Sequence, residues 1–142
     1  MRWFLLVLAC GVGFLWTPVL AYDDVIGVQY VRCHDGDTCI VNIQHVPDVF
    51  GRNVSVRLQG IDTPELNAPC LEARRVAQAA KALLVRHLQQ AKAIALQDPK
   101  RDKYFRLNAT VMADGINLNQ VLLDLGLAVP YDGGTKTHHW CP

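Results

Sequence analysis

The chain has almost no net charge to offer a partner, since 14 lysines and arginines face 13 aspartates and glutamates over 142 residues. No global positive field therefore advertises a polyanion partner, and any affinity for one must come from local clustering. Lys100, Arg101, Lys103 and Arg106 form such a cluster, diluted by Asp98 and Asp102; by itself it reads as a solvated loop. Internal repeats and low-complexity tracts are absent, and the length suffices for one hydrophobic core but not for two.

What is present begins with an apolar run from Trp3 to Leu15 behind Arg2, a break at Pro18, and small residues at Val19-Leu20-Ala21. These are the parts of a secretory leader, which places the mature start at Tyr22 and the protein outside the cytoplasm, periplasmic or extracellular. An uncleaved anchor is the competing reading, because Trp3 to Leu20 reaches the shortest spans that cross a bilayer. Lipidation at Cys10 is a second competitor, disfavoured by the apolar run continuing beyond it. Cleavage at residue 21 leaves one domain, 22–142, with no stable membrane association. It also leaves four cysteines, an even number in an oxidising compartment, and three pairings are open to them. Cys33 and Cys39 flank a turn signal and suit a bridge across a hairpin, which would leave Cys70 to reach Cys141; free buried thiols are the alternative.

Apolar and β-branched residues dominate from Val25 to Val31, His34-Asp35-Gly36-Asp37 turns the chain, and Thr38 to Ile43 alternates as a half-buried strand does. A loop follows, punctuated by Val46-Pro47-Asp48 and Gly51-Arg52-Asn53. Val54, Val56 and Leu58 then alternate with Ser55, Arg57 and Gln59, so Arg57 points away from the buried face, towards a groove or solvent. Leu71 to Lys92 lacks internal glycine and proline and spaces Val76, Ala80, Leu83, Leu84, Leu88 and Ala91 along one face of a helix. Short strands are expected at Ala93 to Leu96 and Arg106 to Met112, around a charged loop at Asp98 to Lys103. Leu118, Val121, Leu122 and Leu125 form a second helical stripe that stops at Gly126. The tail from Asp132 is polar and irregular. This order predicts an α+β fold, mainly β: a five-stranded barrel of the oligonucleotide-binding (OB) type with two packed helices.

Asp35-Gly36-Asp37-Thr38 alone is a plausible hairpin turn, and Asp62-Thr63-Pro64-Glu65 alone a plausible strand exit. The first is not a helix-loop-helix calcium loop, since the further carboxylates and the closing glutamate are missing. His138, His139 and Cys141 do not make a metal site either, because adjacent histidines do not easily share one ion. His34 reads as a turn-edge histidine.

Taken together and in order, the segments Asp35 to Thr38, Arg57-Leu58-Gln59-Gly60-Ile61, Asp62 to Glu65 and Asp102-Lys103-Tyr104-Phe105-Arg106 resemble the staphylococcal-nuclease (thermonuclease) family. The likeness continues through Ala113-Asp114-Gly115, Asn117 and Gly126-Leu127-Ala128 to Tyr131. It implies a metal-dependent phosphodiesterase acting on DNA or RNA, single-stranded or frayed, as a monomer with little sequence preference. Asp37 and Asp62 would be hard oxygen donors for Ca2+, with the Thr63 carbonyl as a third ligand. Glu65 would position or deprotonate the attacking water, and Arg57 and Arg106 would donate planar forks to phosphate oxygens. Lys103, Tyr104 and Tyr131 would line the nucleotide pocket. Phe105 stands where many family members have glycine, and a bulky residue resists positive φ, so the loop presenting Lys103 and Tyr104 is expected to be remodelled. Two other classes compete with the enzyme. A non-catalytic OB-type module binding nucleic acid or protein has no need to keep Asp37, Arg57, Asp62, Glu65 and Arg106 together, and a disulfide-stapled inhibitor or structural protein leaves the ordered Asp, Arg and Glu set unaccounted for.

Overall fold

A computed structural model describes residues 24–142; the expected leader at 1–21 lies outside the described residues. Five strands carry the fold. β1 (Val28–Cys33) and β2 (Thr38–Ile43) form the hairpin, and β3 (Val54–Leu58) pairs antiparallel with β2 after α1, a single helical turn at Asp48–Gly51 inside the segment expected to be a loop. The two-residue strand β4 (Ile61–Asp62) then leads to helix α2 (Leu71–Gln90), β5 (Ile94–Arg101) and β6 (Leu107–Ala113). The short β7 (Ile116–Asn117) precedes helix α3 (Leu118–Asp124), and β8 (Val129–Pro130) returns to pair with β4. The main sheet runs β1-β2-β3-β6-β5, with β3 and β6 parallel. It curls until Val25 and Leu96 exchange backbone hydrogen bonds of 2.9 Å, which ties the approach to β1 onto β5. The result is the mixed, mostly stranded, half-closed barrel that the alternation predicted.

The core lies between the concave sheet and the two longer helices. Val56, Leu58 and Leu96 from the strands meet Leu84 of α2 and Leu118 and Leu122 of α3, all fully buried. α2 turns Ala73, Ala77 and Ala80 inward, small residues that let the helix axis approach the hairpin turn. Gly36 is needed there for space rather than for turn geometry. A Cβ at this position would lie 2.8 Å from both the Ala80 Cβ and the Thr63 hydroxyl, so a larger residue must push α2 and the Asp62-Thr63 segment apart.

Both cysteine pairs are bridged. Cys33 and Cys39 are register partners across the hairpin, and Cys70, the residue before α2, is joined to Cys141. β5 corrects the expected loop: the strand continues to Arg101 through an irregularity after Gln97, where Asp98 takes a positive φ of 48° ahead of Pro99. A proline that has no N–H to give interrupts the ladder without ending it. Among the described residues no helix is long and apolar enough to cross a membrane.

Candidate active site

The register of β2 and β3 sets Thr38 opposite Arg57, which brings the Arg57 side chain beside Asp37. Asp35 shapes the turn by accepting the Asp37 amide at 3.0 Å. Asp37 itself points inward: its Oδ2 accepts from the amide and hydroxyl of Thr63 at 3.1 and 2.9 Å, and its Oδ1 accepts from the Thr38 hydroxyl at 3.1 Å. Beyond β3, Gly60 takes a φ of 77° that reverses the chain, so that β4 carries Asp62 back to the same guanidinium. Arg57 Nη2 donates to the Ile61 carbonyl at 3.2 Å and to Asp62 Oδ1 at 3.4 Å. Its Nη1 forms an ion pair with Asp37 Oδ1.

Arg57 thus stands between two buried carboxylates, with its own side chain 13% exposed. The expectation that it would face a groove holds, but it is not solvated. Burial pushes its guanidinium below the usual arginine range, against the opposing pull of Asp62 and Asp35, and Arg106 adds to the lowering. A guanidinium remains the charged form in proteins, so the cluster keeps a fixed cation.

Arg57 also lines a groove of about 920 Å³ whose walls do not include Asp37 or Asp62. Lys100, Lys103 and Arg106 come from the β5–β6 hairpin on one side, and Tyr131 to Gly134 form the other, so the local basic cluster becomes a surface. Tyr131 is set there by β8: its amide donates to the Gly60 carbonyl at 3.0 Å and its hydroxyl to the Gly134 carbonyl at 2.7 Å. Arg106 is engaged by Asp102, whose Oδ2 accepts from its Nε at 2.8 Å. Burial would raise the Asp102 carboxyl, but hydrogen bonds from the Arg106 side chain and from the Tyr104 and Arg106 amides prevail and hold it below the usual range. Lys103 and Arg106 both lie over the exposed Tyr104 ring, 5.1 and 5.4 Å from its centroid.

Phe105 takes the positive φ that its bulk argues against. It adopts a φ of 64°, the left-handed conformation in which glycine is at ease, with its ring 82% exposed. The Asp102 carbonyl accepts its amide at 3.1 Å, and the surrounding bonds to Asp102 hold the turn. Left-handed backbone costs a bulky residue about 1 to 2 kcal/mol, partly offset by the greater entropy glycine has when unfolded. Phe105→Gly is therefore expected to stabilise the fold by about 1 kcal/mol, read as a higher denaturation midpoint at unchanged slope. A lower midpoint would show that the exposed ring makes a contribution of its own.

Glu65 stands apart from the buried pair. Its carboxylate is 67% exposed, and the nearest cation is Lys136 Nζ at 4.0 Å. Three further residues lie outside the motifs read from the sequence. Lys136 Nζ lies 2.8 Å from Asp62 Oδ1, Trp140 Nε1 donates to Asp62 Oδ2 at 3.4 Å, and buried Asn119 joins α3 to the turn after β3 through the Gln59 and Ala109 carbonyls and the Val111 amide. Only Asn119 could have been suspected, as a polar residue inside an apolar helical stripe. The tail is irregular as expected but not inert, since Cys141 is bridged and the His138 ring packs edge-on against Trp140. Among the described residues no three His, Cys, Asp or Glu side chains gather closely enough to hold a metal ion by themselves.

The curled sheet, its two packed helices and the groove define a nuclease-like domain of the OB type. The profile described as staphylococcal nuclease homologue matches residues 55–139, and the chain belongs to that family. The Asp35 to Thr38 turn lies upstream of the matched stretch. An uncharacterized protein of Bacillus anthracis is 33% identical over 104 residues, which amount to 71% of this chain and 45% of that protein. The chain thus spans less than half the length of this relative.

Proposed function

We propose that the protein is an exported, calcium-dependent nuclease that hydrolyses phosphodiester bonds of DNA or RNA with little sequence preference. The observation that carries this reading is the double position of Arg57, which touches both buried carboxylates on one side and opens onto a basic groove on the other. A phosphate bridging these two surfaces meets fixed positive charge in the groove and hard oxygen donors at its end. Contacts of this kind recognise the backbone and the faces of bases, hence the low specificity and the preference for single-stranded or frayed substrates. Export rests on the leader expected at 1–21 and on the two disulfides, and a monomer is the expected state.

The donor chemistry suits Ca2+. Asp37 and Asp62 are ionisable oxygens brought to one guanidinium, and two carboxylates leave most of the six to eight oxygens that calcium takes to be supplied by the Thr63 carbonyl, water and substrate. Bound calcium would polarise the phosphate and neutralise part of its charge. The rest of the chemistry belongs to the chain's own groups. Glu65, exposed at the rim, accepts a proton from the attacking water. Arg57 donates to the phosphate oxygens whose charge grows during in-line attack, and Arg106 does so from the groove side once a phosphate competes with Asp102 for its fork. Thr63 and Thr38 hold Asp37 in orientation, while Lys103, Tyr104 and Tyr131 bind the nucleotide beyond the scissile bond.

Release of nucleotides from single-stranded DNA, duplex DNA and RNA, followed with calcium present and then with excess chelator, tests the proposal. Hydrolysis is expected to stop on chelation and to return on adding calcium. Full activity in chelator would sink the calcium mechanism, and no activity on any of the three polymers would sink the nuclease.

A further inference from the structure

The tail after β8 is fastened at two points that both bear on the carboxylate cluster. The Cys70–Cys141 bridge fixes it to the end of the loop that carries Glu65, and the Trp140 indole donates to Asp62 Oδ2 at 3.4 Å. Between these fastenings and the groove, the chain delivers Lys136 Nζ to 2.8 Å from Asp62 Oδ1 and 4.0 Å from Glu65 Oε1. Asp62 is buried, so its negative charge is weakly screened, and Arg57 already shares it with Asp37. An ammonium at this oxygen satisfies the remaining charge. A divalent ion that takes Asp62 as a ligand must displace the ammonium or share the oxygen with it.

We propose that Lys136 is a further residue of the active site, a tethered cation that competes with calcium for Asp62 and so determines how readily the ion binds. The disulfide is what makes it effective, because a tethered ammonium acts at a high local concentration that a free tail would not reach. The competition is moderate, since the Lys136 side chain is 51% exposed and water screens it. The inference rests on the proposal that Asp62 is a calcium ligand.

Calcium titration by calorimetry on the full chain tests both statements without reference to turnover. Lys136→Met is expected to bind calcium about tenfold more tightly than the wild type, towards the low end of coupling between ligands that exclude one another. Lys136→Arg should stay near the wild-type value, and Cys70→Ser with Cys141→Ser should shift in the same direction as Lys136→Met. Equal or weaker binding by Lys136→Met overturns the competition while leaving calcium in place. Binding gained by Lys136→Met but not by the cysteine variant overturns the role of the tether. Absence of calcium binding in every variant, with Asp62→Asn equally silent, overturns the calcium site itself and the competition with it.

Discussion

Arg57→Ala is expected to lower the rate of hydrolysis by about a thousandfold and the stability of the fold by about 3 kcal/mol. The two losses have one cause. Asp37 and Asp62 are buried, and each has Arg57 within ion-pair distance. Alanine leaves both carboxylates in a poorly solvated place, with half-exposed Lys136 still beside Asp62 but not beside Asp37, and breaking a buried pair from one side costs much more than its net attraction. The transition state loses the fork that meets its growing charge. Arg57→Lys should recover part of the stability, since it restores a charge, and little of the rate, since an ammonium does not offer a planar pair of donors. Initial rates at saturating calcium and urea denaturation measure the two effects separately. A variant that is both stable and active would remove Arg57 from the site.

Glu65→Gln should separate what Arg57→Ala joins. The Glu65 side chain is largely exposed and makes no hydrogen bond among the described residues, so the amide should leave stability within about 0.5 kcal/mol of the wild type. The rate should fall by about a hundredfold or more, the usual contribution of a positioned acid or base, because an amide does not take a proton from water. The loss should appear in kcat more than in KM, since Glu65 is proposed to act on the water and not to hold the substrate. Unchanged kcat would mean that another group, or bulk solvent, accepts the proton.

Much of this arrangement could be read from the sequence because it is local. Alternation over Val54 to Gln59 gave β3 and the outward face of Arg57; an uninterrupted apolar spacing gave α2; Gly126, with a φ of 67°, ends the α3 segment as expected. Asp37, Asp62 and Glu65 could be singled out only as a set in order, and of these Asp37 and Asp62 come together at Arg57 while Glu65 stands apart. What was missed depends on pairings between distant residues or on physics that a residue's identity does not carry. Lys136 and Trp140 reach Asp62 from the far end of the chain, through a bridge whose partner the spacing could suggest but not impose. β5 runs on past Pro99 because its partner β6 holds it from the other side, a support that single-sequence patterning does not register. Gly36 looked like a turn glycine, and it is a contact with Ala80 that requires it. Phe105 shows the reverse case, a positive φ that residue type argues against, adopted within the hydrogen bonds Asp102 makes around it.

The parallel pairing of β3 with β6 has a consequence for how the site comes into being. It sets Arg57 beside Asn108, about fifty residues further along the chain, and it is what brings the β5–β6 hairpin with Lys103 and Arg106 to the groove that Arg57 lines. Closing so long a loop is entropically slow compared with zipping the β1–β2–β3 meander, whose contacts are near in sequence. Arg57 and Asp37 can therefore find one another early, while the groove proposed to bind a polyanion exists only after the parallel seam has closed. A nascent or partly unfolded chain would hold the beginnings of the proposed centre and nothing with which to hold a strand against it.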